Sequence, residues 1–186
     1  MRYLTFALTK GRLANQTMEI LEKLGITCDE LKDKDSRKLI FVNEELKLQF
    51  FLAKGPDVPT YVEYGAADIG VAGKDVIIEE GRKVHEVLDL GFGKCKFALA
   101  VPKGSDFYGG YRTKRIATKY PKVTRSWFES KGMDVEVIKI EGSVELAPLL
   151  SLADGIVDIV ETGRTLKENG LEIIEEIRNV SARLIV

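Results

Sequence analysis

Asp158-Ile159-Val160-Glu161-Thr162-Gly163-Arg164 decides the fold, because Asp68-Ile69-Gly70-Val71-Ala72-Gly73-Lys74 follows the same plan ninety positions earlier. Each stretch opens with Asp-Ile, reaches a glycine five residues after the aspartate and ends on a cation. Each follows a segment with helical signals. Two α/β lobes facing one another across a cleft would produce this echo; the alternative is a chance match between two ordinary strand-to-turn segments.

Outward from these stretches the chain alternates. Tyr3 to Leu8 reads as a buried strand, and Thr9 to Arg12 as a turn. Leu13, Thr17, Ile20, Leu21 and Leu24 recur at helical spacing up to the stop at Gly25. Leu39–Val42 and Leu46–Leu52 flank Asn43-Glu44-Glu45 as a hairpin. Asp57 is expected to cap a helix that has Pro59 in its first turn and stops at Gly65. Asp68 to Ala72, Val84 to Leu90 and Lys96 to Val101 read as strands. The pattern then restarts: strand Arg115–Thr118, helix Pro121–Lys131, strand Val135–Ile140, helix Ser143–Leu152, strand Gly155–Val160. The order predicts an α/β protein with mixed, largely parallel sheets. Lobe I is expected over 1–91, with 171–186 returning to it, and lobe II over 92–170.

Composition removes several classes. The 186 residues are 45% hydrophobic, and 28 basic against 29 acidic residues leave a net charge of −1. Neither a nucleic-acid protein nor a membrane-surface protein is indicated. No run approaches the roughly 20 apolar residues of a membrane span, and the N-terminus does not read as a signal peptide. Two cysteines, Cys28 and Cys95, make no disulfide framework, and a single histidine, His85, leaves no multi-histidine metal site. These features predict a cytoplasmic protein, and no residue of the chain is assigned as a metal ligand.

The strongest candidate site runs from Asp154 to Leu166. A strand ends in Thr162-Gly163-Arg164-Thr165, a turn that opens a short helix closed by Gly170. Backbone N–H groups and two threonine hydroxyls would converge there on a phosphate, and Arg164 either adds charge or points to solvent. Asp154, Asp158 and Glu161 beside a phosphate cradle make sense if they accept hydrogen bonds from sugar hydroxyls or share a Mg²⁺ ion. Together these features describe a ribose phosphate; alternatively the threonines only cap a helix and the acids are solvated. Lys10-Gly11-Arg12, Lys54 and Lys74 each follow a strand, where ligands of open α/β sheets bind; read alone, Lys10-Gly11-Arg12 fits a solvated turn equally well. Gly73-Lys74 is not a P-loop, since Asp68 and Asp75 stand where glycine and Ser/Thr are required. His85, Trp127 and Phe128 read as structural, and both cysteines as inert.

With these residues located, the chain resembles the catalytic subunit of ATP phosphoribosyltransferase, short form. The signature is matched by Glu145, Ala153, Ile156, Asp158, Ile159, Thr162, Gly163, Thr165 and Leu166, and departs at Ser151, where a glycine is expected. Lys10–Leu13, Asp57–Gly70, Gly73–Val76 and Arg115–Pro121 extend the match over nearly the whole chain, while Lys54-Gly55 replaces the Arg-Pro of many relatives.

The resemblance implies a fold like that of type II periplasmic binding proteins. It also implies transfer of phosphoribosyl from phosphoribosyl pyrophosphate to N1 of ATP, with Mg²⁺ bound alongside the substrate phosphates. It further implies a homodimer, or a hetero-oligomer with a regulatory subunit similar to histidyl-tRNA synthetase. On this reading Thr162 to Thr165 take the 5′-phosphate, and Asp154 and Asp158 hold the ribose hydroxyls or position the loop. Lys10, Arg12 and Lys54 neutralise pyrophosphate and the ATP phosphates. Two rivals share the pattern: a non-catalytic ligand-binding module, and a phosphoribosyltransferase acting on a free base.

Overall fold

A computed structural model describes residues 2–32 and 37–186. The chain forms two compact units, Met1–Gly93 with Ser181–Val186, and Lys94–Val180.

In the first unit β1 (Leu4–Thr9) leads through Gly11 into α1 (Arg12–Lys23). Ala14, Thr17 and Met18 bury one face of α1, and the helix ends where Gly25 takes a left-handed φ of 80°. The hairpin β2 (Ile40–Asn43) and β3 (Leu48–Ala53) follows. A 3₁₀ turn over Gly55–Asp57 then runs directly into α2 (Val58–Glu63), followed by β4 (Ile69–Gly73), α3 (Lys74–Glu80) and β5 (Glu86–Asp89). Asp57 takes the N-cap position that the sequence predicts, but without capping through its side chain. The preceding turn puts it in helical conformation. The sheet is completed by the last strand of the chain and has the order β2-β3-β1-β4, then Ala182–Ile185, then β5. Gly70 is essential to its packing: a Cβ there would come within 2.7 Å of Val62 and 2.9 Å of Ile185.

In the second unit come β6 (Cys95–Pro102), β7 (Lys114–Thr118), α4 (Pro121–Ser130), β8 (Val135–Lys139), α5 (Leu146–Leu149), β9 (Gly155–Val160), α6 (Arg164–Glu168) and β10 (Leu171–Val180); β11 (Ala182–Ile185) then ends the chain in the first unit. The second sheet has the order β10-β6-β9-β7-β8. Phe97, Phe128, Ile116 and Ile156 are fully buried in this unit. Trp127 is only half-buried, with the Lys131 ammonium 4.6 Å from its ring centroid.

Three corrections follow. The stretch 171–186 does not return to the first lobe as a whole. β10 pairs antiparallel with β6 along its length, and only β11 joins the first sheet. The sheets are mixed, but among the described residues only two of five pairings in the first and two of four in the second are parallel. β10, β11, β5 and the hairpin supply the antiparallel remainder. The helix expected over Ser143–Leu152 shrinks to Leu146–Leu149, since Pro148 donates no N–H and Ser151 turns left-handed at φ 58°.

Candidate active site

β1 and β3 run parallel and in register, with Thr9 opposite Ala53. Their carboxyl ends therefore deliver Lys10 and Lys54 side by side, and the Lys10 N–H donates to the Ala53 carbonyl at 2.9 Å. Arg12 begins α1 two residues on. All three side chains are exposed. β4 ends at the same edge, where the Thr9 hydroxyl donates to the Val71 carbonyl at 2.8 Å. Lys74 follows, but its ammonium is ion-paired with Glu86. The first unit thus gathers Lys10, Arg12 and Lys54 at one sheet edge. A groove of about 670 Å³ opens beside Lys10, with Ala14, Met18 and Phe41 in its apolar lining.

In the second unit β9 ends at Val160, and Glu161, Thr162, Gly163, Arg164 and Thr165 form the turn into α6. Gly163 has φ 74° and ψ 4°, a conformation that favours glycine. The Thr162 hydroxyl accepts the Arg164 N–H at 3.4 Å, and the helix proper begins with Lys167 N–H to the Gly163 carbonyl at 3.1 Å. First-turn N–H groups have no intrahelical acceptor. The turn therefore offers main-chain donors with the Thr162 and Thr165 hydroxyls, and all of it except half-buried Gly163 is exposed. Asp158 lies two residues inside the strand, opposite Ala98, with a carboxylate oxygen accepting the Ile159 N–H at 2.8 Å.

The structure sets Asp154 apart from the turn. Asp154 precedes β9 and so stands at the opposite end of that strand from the turn, about 20 Å away by strand rise. Its carboxylate is engaged there by both Arg112 guanidinium nitrogens, one at 3.0 Å, and by the Arg115 N–H at 2.8 Å. Burial pushes its pKa up, but the Arg112 hydrogen bonds, the Arg115 N–H and the two charges outweigh that and hold it below the usual carboxylate value. Asp154 braces the amino ends of β7 and β9. Of the two alternatives for Arg164, the side chain takes the solvent-facing one: its guanidinium donates to Glu168 at 2.7 Å one turn along α6, and the side chain is 84% exposed.

Sequence reasoning gave no role to Lys119, which follows β7 at the carboxyl edge shared with β9 and helps, after the closer Lys139, to lower the pKa of Glu141. The signal was its place after a strand and two residues before a helix-opening proline. Beneath it the Thr118 hydroxyl donates to the Val157 carbonyl at 2.7 Å and accepts the Tyr120 N–H at 2.9 Å, fixing the edge. His85 exchanges main-chain bonds of 2.8 and 2.9 Å with Val186, and burial pushes the Cys28 thiol up.

The ATP phosphoribosyltransferase (HisG) family model matches residues 54–186. An ATP phosphoribosyltransferase of Lachnoclostridium phytofermentans is 61% identical over all of this chain and 87% of its own length. One from Clostridium novyi is 59% identical over 100% and 88%. Among solved structures, the HisG:HisZ ATP phosphoribosyl transferase complex of Thermotoga maritima superposes with a TM-score of 0.84 at 40% identity, covering 98% of this chain and 87% of that one. The GluR0 ligand-binding core, at 9% identity and a TM-score of 0.59, covering 100% of this chain and 85% of that one, shares the fold alone, that of type II periplasmic binding proteins. The chain belongs to the ATP phosphoribosyltransferase family, whose enzymes open histidine biosynthesis by transferring phosphoribosyl from phosphoribosyl pyrophosphate to ATP.

Proposed function

We propose that the Thr162–Thr165 turn takes the 5′-phosphate of phosphoribosyl pyrophosphate and that Lys10, Arg12 and Lys54 take the pyrophosphate and the ATP phosphates. The observation that carries this reading is the open, left-handed turn at the carboxyl end of β9, built from main-chain donors and two hydroxyls. Asp158, beneath the turn, orients it or accepts from the ribose hydroxyls; Asp154 has no part in substrate contact.

The reaction needs alignment more than proton transfer. Adenine N1 is already a nucleophile; it forms the new bond to ribose C1 as the C1–O bond breaks, and pyrophosphate carries away the electron pair. The transition state is oxocarbenium-like, as in glycoside chemistry. Preorganised donors at the departing pyrophosphate lower this barrier, each worth about 2–4 kcal/mol. Two bound polyanions place a heavy demand on cations, which the exposed first-unit edge supplies.

Mg²⁺ fits as a companion of the substrate phosphates. No group of three metal-ligating side chains occurs among the described residues. Mg²⁺ on phosphates needs only one or two carboxylates from the protein, and Glu161, exposed beside the turn, can share it. When bound, the ion neutralises charge on the leaving pyrophosphate.

The Thermotoga maritima relative is a HisG:HisZ complex, which supports a hetero-oligomer with a regulatory subunit of that kind. Among the described residues no helix is long and apolar enough to cross a membrane, and we place the enzyme in the cytoplasm with its pathway.

The test is pyrophosphate release from ATP and phosphoribosyl pyrophosphate with Mg²⁺, with and without a HisZ-type subunit. Release that requires both substrates supports the reading. Release with free adenine instead of ATP, or none in either mixture from folded protein, refutes it.

A further inference from the structure

The amino ends of β7 and β9 border a second cavity, at the opposite end of those strands from the Thr162–Thr165 turn. Its volume is about 340 Å³, and Ser105, Arg112, Lys114, Arg115 and Ser151 line it, with Phe107 in its wall. Asp106 and Asp154 also reach it. Asp154 is spent on Arg112 and on the Arg115 N–H, and one Asp106 oxygen accepts the Gly109 N–H at 3.0 Å. Three cations against two carboxylates leave one positive charge in excess, in a chain whose net charge is −1.

Lys114 and Arg115 are half-buried, yet their side chains donate to carbonyl oxygens alone among the described residues. The Lys114 ammonium donates to the Gly109 carbonyl at 2.7 Å and stands 6.0 Å from the centroid of the Phe107 ring. The Arg115 guanidinium donates to the Ser151 carbonyl at 3.1 Å. An ammonium carries three donor hydrogens and a guanidinium five, so both keep donors to spare. Ser151 is the second sign. Its φ of 58° is left-handed, where a residue with a Cβ is strained and glycine is not. Strain of this kind gathers at ligand sites, and the Ser151 side chain is exposed at this cavity.

We propose that the cavity binds the phosphate group of a small organic phosphate, at a site separate from both substrate-binding edges. Lys114 and Arg115 supply charge and most of the donors, and the Ser105 and Ser151 hydroxyls supply the rest. So many donors suit the three terminal oxygens of a phosphate monoester better than the two of a carboxylate. The volume lies at the small end of ligand pockets, which run from about 300 to 1,000 Å³, and Pro148 and Ala153 offer an apolar wall to the organic part. A phosphate held there ties the loop before β7 to the turn before β9. The inference rests on this cavity and on none of the substrate assignments above.

The test is a titration of the whole ¹⁵N-labelled chain with inorganic phosphate at constant ionic strength, followed amide by amide. That readout separates this cavity from the turn and from the first-unit cations. In the wild type, the amides of 105–115 and 151–154 should shift saturably with phosphate and not with chloride, and acetate should bind there at least about tenfold more weakly. Lys114→Gln with Arg115→Gln should weaken phosphate binding at these amides at least about tenfold, as loss of a charge-assisted contact does, and should leave the Thr162–Thr165 amides responding as in the wild type. Ser151→Gly, which relieves the strained φ and keeps the fold, should weaken it about threefold. This single variant decides the matter where the double variant fails to fold. No saturable shift at those amides, the same response to chloride or acetate, or a folded double variant or Ser151→Gly protein that binds phosphate as the wild type does each overturns the proposal.

Discussion

Asp154→Ala separates the sequence reading from the structural one. If Asp154 held ribose hydroxyls, its loss would lower turnover and spare the fold. The structure predicts the reverse. The carboxylate is 16% exposed and accepts from the Arg112 side chain and the Arg115 main chain. A hydrogen bond to a charged group contributes about 1.5–3 kcal/mol. The Arg112 bonds count for less, since that side chain is 62% exposed and solvent screens it. The half-buried Arg115 N–H, left without an acceptor, costs nearer the full amount. The total is about 2–3 kcal/mol. With a urea slope of about 2 kcal/mol/M, the midpoint falls by about 1 M. Turnover of the fraction that remains folded, assayed at low temperature, should stay within about threefold of wild type, because the turn lies at the other end of β9.

The pH dependence has a definite sign. The folded carboxyl titrates below the unfolded value of about 3.9, so its contribution is complete above that value. It is lost as pH falls through the folded pKa. The stability gap between wild type and variant should be constant from neutrality to about pH 5 and should close below pH 4. Unchanged stability with turnover reduced a hundredfold would refute this reasoning and return Asp154 to the substrate.

Arg12→Ala and Lys54→Ala should each lower kcat/KM by about 30- to 1,000-fold, equivalent to about 2–4 kcal/mol, while the melting temperature stays within about 2 °C, since both side chains are exposed. Gly163→Ala should destabilise by about 1–2 kcal/mol, because φ 74° is unfavourable for a residue with a Cβ, and should raise the KM for phosphoribosyl pyrophosphate more than that for ATP in steady-state kinetics. Arg164→Ala should change kcat/KM by less than about threefold and stability by less than about 0.5 kcal/mol, as its cation is spent on Glu168 in solvent. Ser151→Gly should gain up to about 1 kcal/mol in urea unfolding, relief of left-handed strain of about 1–2 kcal/mol exceeding the entropy cost of glycine of about 0.5–1 kcal/mol.

The sequence made legible whatever depends on local chemistry. The strand of buried residues before Thr9, the stop at Gly25, the hairpin about Asn43 and the glycine turn at Gly163 each follow from a few neighbouring side chains. What it hid depends on distant partners. Nothing within Leu171–Val180 says that the stretch pairs with β6 some eighty positions earlier. α3 was hidden by Val76-Ile77-Ile78, a β-branched run that tertiary packing overrides. Asp154 misled because it stands only four residues from Asp158 in the sequence, whereas along a strand that spacing separates the two carboxylates by about 13 Å. The Arg112 that claims Asp154 is 42 positions away and carries no local mark.

The echo that suggested two lobes also bears on how the two units would bind anions under the proposed assignment. β4 and β9 hold equivalent places: each has the first parallel strand of its unit on one side, β1 or β7, and an antiparallel strand on the other, β11 or β6. Each hands over to a helix through a glycine. The strands are nonetheless offset: Asp68 precedes β4, while Asp158 lies within β9. That shift changes the glycine. Gly73 is extended at φ −67°, and the Asp75 carboxylate folds back over it, occupying the space in front of the helix. Gly163 is left-handed, and the space before it holds only the methyls of Val160 and Ile173, at 3.8 and 3.9 Å from where a Cβ would stand. An anion can approach the main chain at Gly163 but meets a carboxylate at Gly73. On the proposed assignment the first unit would hold phosphates with side chains, and Lys10, Arg12 and Lys54 are exposed cations at its edge; the second would use backbone donors.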